Sequence, residues 1–346
     1  MTDFQPPLRL TLDGEALVSN WRYLKAQGQA SCGAAVKANG YGLGAVDVVR
    51  RLRDAGCRDF FVAHWGEAAA ISHLVTPEWI SVLNGITADD IPHIRQIGAI
   101  PVLNTPKQIA LWRAAGGGRC HVMLDSGINR LGIGSEQFAA PLFEGLDIDI
   151  LLSHLASADE DSAQNSAQLN LFRQQAKLVK AKRLSLANSA GIMLGRDFHF
   201  DLTRPGLALY GGVPRTEMAS SIKPVVSLSS RVLQVRTLMA GDAVGYNATH
   251  ICTSPTKVAT ISLGYADGYL RSFAGKGKLR ADGVSIAIIG RVSMDLVTAD
   301  VSALVDVGEG DWINVDYDLS RTAELTGLSQ YELLTNFGQR FERQWV

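Results

Sequence analysis

Over its first two-thirds the chain repeats one alternation of apolar and polar positions. Short apolar runs rich in β-forming residues occur at 32–36, 59–63, 79–83, 100–103, 121–124, 148–152, 184–187 and 199–202. Between them, residues 45–55, 66–74, 106–115 and 164–182 carry apolar side chains at helical spacing; Leu169, Phe172, Ala176 and Val179 are one such row. Eight strands alternating with helices predict an α/β fold with a parallel sheet closed as a TIM-like (β/α)8 barrel, a doubly wound open sheet being the competing topology. The pattern changes near Ile222-Lys-Pro224. Strand-like runs follow at 225–235, 257–263, 284–289, 296–301 and 312–315, broken by turn signals such as Ala240-Gly-Asp and Gly308-Glu-Gly-Asp. They predict a C-terminal mainly-β domain with short helices at 322–325 and 331–339. The expected domains are 1–223 and 224–346, with the first residues able to pair with the second domain.

Composition narrows the function more than the fold. At 346 residues the chain has room for about two domains. Lys+Arg number 33 against 34 Asp+Glu, and this balance argues against nucleic acid or an anionic membrane as partner. No apolar run approaches the roughly 18–20 residues that span a bilayer. The N-terminal stretch Met1-Thr-Asp-Phe has neither the basic nor the apolar region of a secretory signal, so a cytoplasmic location is expected. Cys32, Cys57, Cys120 and Cys252 are scattered, with no metal-ligand spacing, so no metal site is expected. The count of 34 glycines is the one skewed number, and it directs attention to glycine-rich loops.

In a barrel, chemistry gathers where the strands end. Those ends read Lys37, His64, Asn84, Asn104, Asp125, His154, Asn188-Ser189 and Arg204. Lys37 follows Ala34-Ala35-Val36 and precedes the glycine-rich Ala38-Asn-Gly-Tyr-Gly-Leu-Gly44. Alone it reads either as a lysine snorkelling from the core edge or as a Schiff-base amine whose partial burial makes it nucleophilic. After the last run comes Asp201-Leu-Thr-Arg204-Pro-Gly206, where backbone N–H groups and the Ser189 hydroxyl would form the barrel's phosphate cradle. An amine after the first strand and a phosphate cradle after the seventh and eighth are what a pyridoxal phosphate site requires. Taken singly, His154 is equally a core histidine, Tyr246 a sheet aromatic, Met294 a core residue and Tyr331 a helix-face residue. His64, His73, His93, His121, His199 and His250 keep ordinary readings, and Asp159-Glu-Asp161 reads as a solvated loop.

With these residues in place, the sequence resembles the alanine racemase family. Ala35-Val-Lys37-Ala-Asn-Gly-Tyr41-Gly-Leu-Gly44 looks like that family's cofactor-lysine signature, and Asp125-Ser-Gly-Ile-Asn-Arg130-Leu-Gly132 resembles its arginine segment. Ser153-His154, Ala187-Asn188-Ser189, Arg204-Pro-Gly206-Leu207, Val244-Gly-Tyr246, Gly264-Tyr265-Ala-Asp-Gly268 and Gly290-Arg-Val-Ser-Met294-Asp295 follow in family order. Two positions depart from the pattern. Many members carry a carbamylated lysine where this chain has Met123, so Arg130 must be oriented by another side chain or a bound anion. The usual Tyr-Gly-His-Gly reads Tyr41-Gly-Leu-Gly44 here.

The resemblance implies a pyridoxal 5'-phosphate enzyme interconverting L- and D-alanine, with two bases acting on an external aldimine, and a head-to-tail homodimer sharing its sites. It implies Lys37 and Tyr246 as the catalytic bases, for the D- and L-faces respectively, Tyr246 coming from the partner chain. It carries over Tyr41, His154, Asn188, Ser189, Arg204, Gly206, Leu207 and Tyr331 as cofactor-binding residues, and Arg130, Met294 and Tyr265 as substrate-binding residues. His154 and Arg204 would support Tyr246 as a hydrogen-bonded chain, and Arg343 would steer the anionic substrate. A racemase of broader specificity, extending to serine, is the alternative; a non-catalytic pyridoxal phosphate-binding protein is a further one. The resulting D-alanine would serve as a cell-wall precursor.

Overall fold

The first alternation is realised as a ring of parallel strands. A computed structural model describes residues 5–346, which fall into two units: Ala16–Lys223, and the residues up to Glu15 together with Pro224–Val346. In the first unit the strands are Ser31–Cys32 and Ala34–Ala35, interrupted at Gly33, then Phe60–Val62, Ile80–Val82, Ile100–Leu103, Arg119–Met123, Asp147–Leu152, Arg183–Ser185 and Leu202–Thr203. Neighbours pair in parallel from Ala34–Ala35 through to Arg183–Ser185. Leu202–Thr203 closes the ring. It pairs with Ser31–Cys32, while the Asp201 and Arg204 amides donate to the carbonyls of Leu184 and Ala187. Phe60–Val62, Ile80–Val82 and Ile100–Leu103 are buried at every position, as strands covered on both faces must be. That is why Phe60–Val62 and Ile100–Leu103 read as unbroken apolar runs, and Ile80–Val82 as one interrupted only by the buried Ser81.

The helices meet the expected spans with shifted ends. Ala45–Asp54 and Pro106–Ala114 lie where predicted. Trp65–Ile71 starts one residue early because His64 caps it. Ala163–Ala176 stops six residues before the expected end, and the Lys182 amide is already paired with the Ile148 carbonyl. The last strand begins at Leu202 rather than at 199, since Arg196–Phe198 turns as a 3-10 helix and the His199 ring meets the Ile192 carbonyl at 2.8 Å. Helices Gly14–Lys25 and Ile91–Ile97 were not among the predicted spans.

In the second unit, Val226–Leu238 is the organising strand. Its thirteen residues pair with Leu8–Leu12 and Trp312–Val315 along one stretch and with Thr256–Ile261 along another, with a register shift between Val232 and Gln234. Val297–Asp300, Val284–Ile289 and Lys278–Ala281 complete the circuit back to Trp312–Val315, so the sheet closes on itself. Leu8–Leu12 alternates buried and half-buried positions and also pairs with Glu342–Trp345. The two short helices are Leu319–Thr326 and Gln330–Thr335. Among the described residues no helix is long and apolar enough to cross a membrane, no group of His, Cys, Asp and Glu could hold a metal, and the four cysteines are free and buried.

Candidate active site

Lys37 leaves the first barrel strand into an unusual turn. Ala38, Asn39, Gly40 and Tyr41 have φ of 53°, 54°, 63° and 54°, so four successive residues are left-handed. Such a conformation costs roughly 1–2 kcal/mol for each residue bearing a Cβ, and it persists only where neighbours impose it. Here they do. The Ala38 amide donates to Glu67 Oε1 at 2.6 Å, and Asn39 Oδ1 accepts from the Ala45 amide at 3.0 Å. The Tyr41 ring stacks on Tyr210 with centroids 4.5 Å apart, and Tyr210 Oη donates to the Ala35 carbonyl at 2.8 Å. Tyr41 is buried by this arrangement and Lys37 half-buried.

The electrostatics around Lys37 are those of a cation-rich pocket. Burial holds its amine below the usual lysine range; Arg130 and Arg204 push the same way and Glu67 opposes them. Arg204 is buried, and its guanidinium donates to Ser185 Oγ and to the Ser153 carbonyl, each at 2.5 Å. Burial lowers it to about 10, which still leaves it charged near neutrality. Burial, then Arg204, Arg130 and Lys37, push the His154 imidazole down to about 3, so it is neutral. The expected hydrogen-bonded chain through His154 is therefore corrected at this link: Arg204 spends its bonds on Ser185 and Ser153, and its influence on the imidazole is electrostatic. Buried Gln168 fixes the His154 loop, its Nε2 donating to the His154 carbonyl at 2.9 Å and its Oε1 accepting from the Ala156 amide at 2.8 Å.

At the last two strand ends, Ser189 Oγ accepts from the amides of Gly206 and Ala208 at 2.9 and 3.2 Å. Gly206 must lack a side chain, because a Cβ there would strike the Tyr41 hydroxyl. Tyr41, Ser189, Gly206 and Leu207 are thus brought together. Asn188 sits beside them with Oδ1 accepting from the Gly191 amide at 2.9 Å. A depressed amine, the fixed guanidinium of Arg204, the nearby Arg130 and a hydroxyl–amide cradle suit a ligand with an aldehyde and several anionic oxygens. The residues present fit pyridoxal phosphate.

Arg130 is exposed, on a loop organised by Asp125. Asp125 Oδ1 accepts from the amides of Gly127, Ile128 and Asn129 at 2.9–3.1 Å, and Oδ2 accepts from the Arg130 amide at 3.0 Å. This carboxylate is the side chain that holds the loop. Met123 lies buried beneath it, and a Cβ on Gly132 would come within 3.0 Å of Met123 Cγ.

The other predicted residues belong to the second unit. Tyr246 and Met294 are 69% and 53% exposed. The Tyr265 and Ala266 amides donate to the carbonyls of Ser293 and Met294, so the loops bearing Tyr265 and Met294 are bonded together. Arg340 straddles them, with bonds of 2.7 and 2.8 Å to the buried Asp267 carboxylate and of 2.6 Å to Asp295. Tyr331 lies in the first turn of Gln330–Thr335. Arg343 departs from expectation: it is half-buried and donates to the carbonyls of Phe337 and Gly338 at 3.4 and 3.1 Å, because a guanidinium withdrawn from water needs acceptors. It ties down its own tail.

Glu67, Gln168 and Arg340 were missed in the sequence. Only Glu67 had a local signal, as the third helical residue after a capping His64. His64 Nδ1 accepts from the Glu67 amide at 3.4 Å and buried His121 Nδ1 from the Ile150 amide at 3.1 Å, ordinary roles both.

The chain is similar to known proteins along nearly its whole length. Residues 12–214 match the alanine racemase N-terminal domain and residues 225–345 the C-terminal domain. The catabolic alanine racemase of Agrobacterium fabrum is 41% identical, over 97% of this chain and 92% of its own. The biosynthetic alanine racemase of the same organism is 38% identical, over 99% and 94%. The crystal structure of alanine racemase from Bartonella henselae, with covalently bound pyridoxal phosphate, superposes with a TM-score of 0.92 at 35% identity, covering 99% of this chain and all of that one. The chain belongs to the alanine racemase family.

Proposed function

We propose that the chain interconverts L- and D-alanine with pyridoxal phosphate held on Lys37, in a homodimer whose sites each take Tyr246, Tyr265 and Met294 from the partner chain. One observation carries the reading: a lysine amine depressed by burial, flanked by Arg130 and Arg204, shares its barrel mouth with the Ser189–Gly206 cradle. When bound, pyridoxal phosphate supplies an electron-withdrawing ring that acidifies the Cα–H of the substrate. Tyr41, Ser189, Gly206, Leu207 and Tyr331 would hold its phosphate, with His154 and Asn188 bordering it. Arg204 would face the ring nitrogen. An arginine keeps its proton, so Arg204 would donate to that nitrogen without protonating it, which would favour reprotonation at Cα over side reactions.

Inversion at Cα needs a base on each face. Lys37 Nζ takes or returns the proton on the D-face; burial enlarges its neutral fraction, which is the form able to do so. Tyr246 Oη serves the L-face. A tyrosine is a poor base near neutrality without a cation nearby, and Arg204 supplies fixed positive charge while the neutral His154 accepts or passes a hydrogen bond. Arg130 binds the substrate carboxylate, and Tyr265 and Met294 border the entrance. The exposure of Tyr246 and Met294 is consistent with the shared site, since it leaves both side chains open to a second chain. We place the reaction in the cytoplasm; likeness to a catabolic and a biosynthetic relative, at 41% and 38% identity, fits alanine catabolism and cell-wall supply alike.

Racemisation by the holoenzyme, assayed over a panel of L-amino acids, should be fastest with alanine. Turnover of serine with alanine untouched would overturn the substrate assignment. Heterodimers of inactive Lys37→Ala and inactive Tyr246→Phe chains should regain activity, and verified heterodimers that stay silent would overturn the shared site.

A further inference from the structure

Glu67 takes no part in the proposed proton transfers. It occupies the third position of helix Trp65–Ile71, where a carboxylate ordinarily turns back to the amide of its own cap. Glu67 reaches elsewhere. Its Oε2 accepts from the amide of Ala63, just past the second barrel strand, at 2.7 Å, and its Oε1 accepts from the amide of Ala38 at 2.6 Å. Ala38 follows Lys37 and is the first of the four left-handed residues. A single carboxylate therefore ties two neighbouring strand ends together at the residue next to the amine. Its helix is anchored in turn, with Trp65 Nε1 donating to the Gly85 carbonyl at 2.9 Å. The side chain is only 18% exposed, with His64 Nε2 at 3.9 Å.

The charges facing Lys37 are Arg130, Arg204 and Glu67, with a neutral His154 beside them. Two are cations and one is an anion. We propose that Glu67 is a positioning residue for Lys37, holding the left-handed turn closed at Ala38 and supplying the negative charge that faces the amine. The inference rests on the reading of Lys37 as the cofactor lysine. Without the carboxylate, the Ala38 amide loses its acceptor and the turn can relax toward the cheaper right-handed region, redirecting Nζ. The two guanidinium groups would also act on the amine unopposed.

The variants separate the two contributions. Glu67→Gln keeps the size and one acceptor but removes the charge. Glu67→Asp keeps the charge but is one methylene shorter, so it cannot span both amides. In the apoenzyme, acetic anhydride labelling of Lys37 can be followed against pH by mass spectrometry. Its midpoint should move to lower pH in Glu67→Gln and stay nearer wild type in Glu67→Asp. In the holoenzyme, kcat should fall by roughly 10–100-fold in both variants, the scale set by misplacing a reacting group by about 1 Å. Glu67→Ala, if it fails to fold, is replaced by these two, whose folding is checked by circular dichroism. Borohydride reduction and peptide mapping of the wild-type holoenzyme keep the two levels apart. Cofactor fixed on another lysine would overturn the underlying reading. Cofactor on Lys37 with an unmoved labelling curve in folded Glu67→Gln would overturn the proposal itself.

Discussion

The two units hold their candidate residues in opposite ways. In the barrel unit Tyr41 and Arg204 are buried, Lys37 and His154 half-buried, and the surroundings change their chemistry: the amine is depressed, the imidazole is neutral, the guanidinium is clamped. In the β-unit Tyr246 and Met294 stand out into solvent, and what is fixed is the backbone beneath Tyr265 and Met294, braced by Arg340 through Asp267 and Asp295. In the proposed reading the first arrangement would tune reactivity and the second would deliver side chains. Tuning draws on desolvation, close charge and hydrogen bonding, the three causes that shift a proton affinity, and the first two act on Lys37 and His154. Delivery requires a stiff loop and an open side chain.

Substitutions in either unit test this difference. Lys37→Ala should abolish racemisation, a loss beyond about 10⁴-fold, and with it the cofactor fixed by borohydride; a retained covalent link would move the tuned amine elsewhere. Tyr246→Phe should slow proton abstraction from L-alanine by roughly 10²–10⁴-fold, and abstraction from D-alanine much less. Equal mild losses in both directions, followed by solvent deuterium exchange, would deny the β-unit its base. Asp125→Ala and Arg340→Ala remove the brace from one loop system in each unit. Each should lower stability by about 2 kcal/mol in urea unfolding and raise KM more than it lowers kcat. An unaltered KM in Arg340→Ala would show that bracing is dispensable in the β-unit.

The smallest effect is in pH dependence. Burial pushes both His154 and His121 down to about 3, whereas in the unfolded chain a histidine takes a proton near 6.5. Unfolding between those limits therefore binds protons, and stability falls as the pH drops from about 6.5, by up to about 1.4 kcal/mol per pH unit for each histidine. His154→Asn should remove one histidine's share of that slope between pH 6 and pH 5. An unchanged slope would mean that the imidazole is not desolvated.

The barrel was legible because strands covered on both faces must be largely apolar, as Phe60–Val62 and Ile100–Leu103 are. Its strand ends were legible because polar side chains begin where the cover stops. The left-handed turn was not. Ala38, Asn39 and Tyr41 do not announce positive φ as a glycine does, and their conformation is imposed partly by Glu67, 29 residues further on. The same holds for Gln168, whose partner is a backbone carbonyl 14 residues earlier. The setting of Arg343 was hidden for a related reason: from sequence alone, an arginine near a chain end looks solvated, and its carbonyl partners emerge only once the tail folds back.

Met123 has a consequence beyond packing. A carbamylated lysine is assembled from dissolved carbon dioxide, so an enzyme relying on one carries a volatile part that acid or a bicarbonate-poor medium can strip. This chain places a thioether there, and the arginine loop above it is held by Asp125, a group that travels with the polypeptide. Turnover should be indifferent to carbon dioxide tension, with degassed enzyme as competent as enzyme kept under bicarbonate.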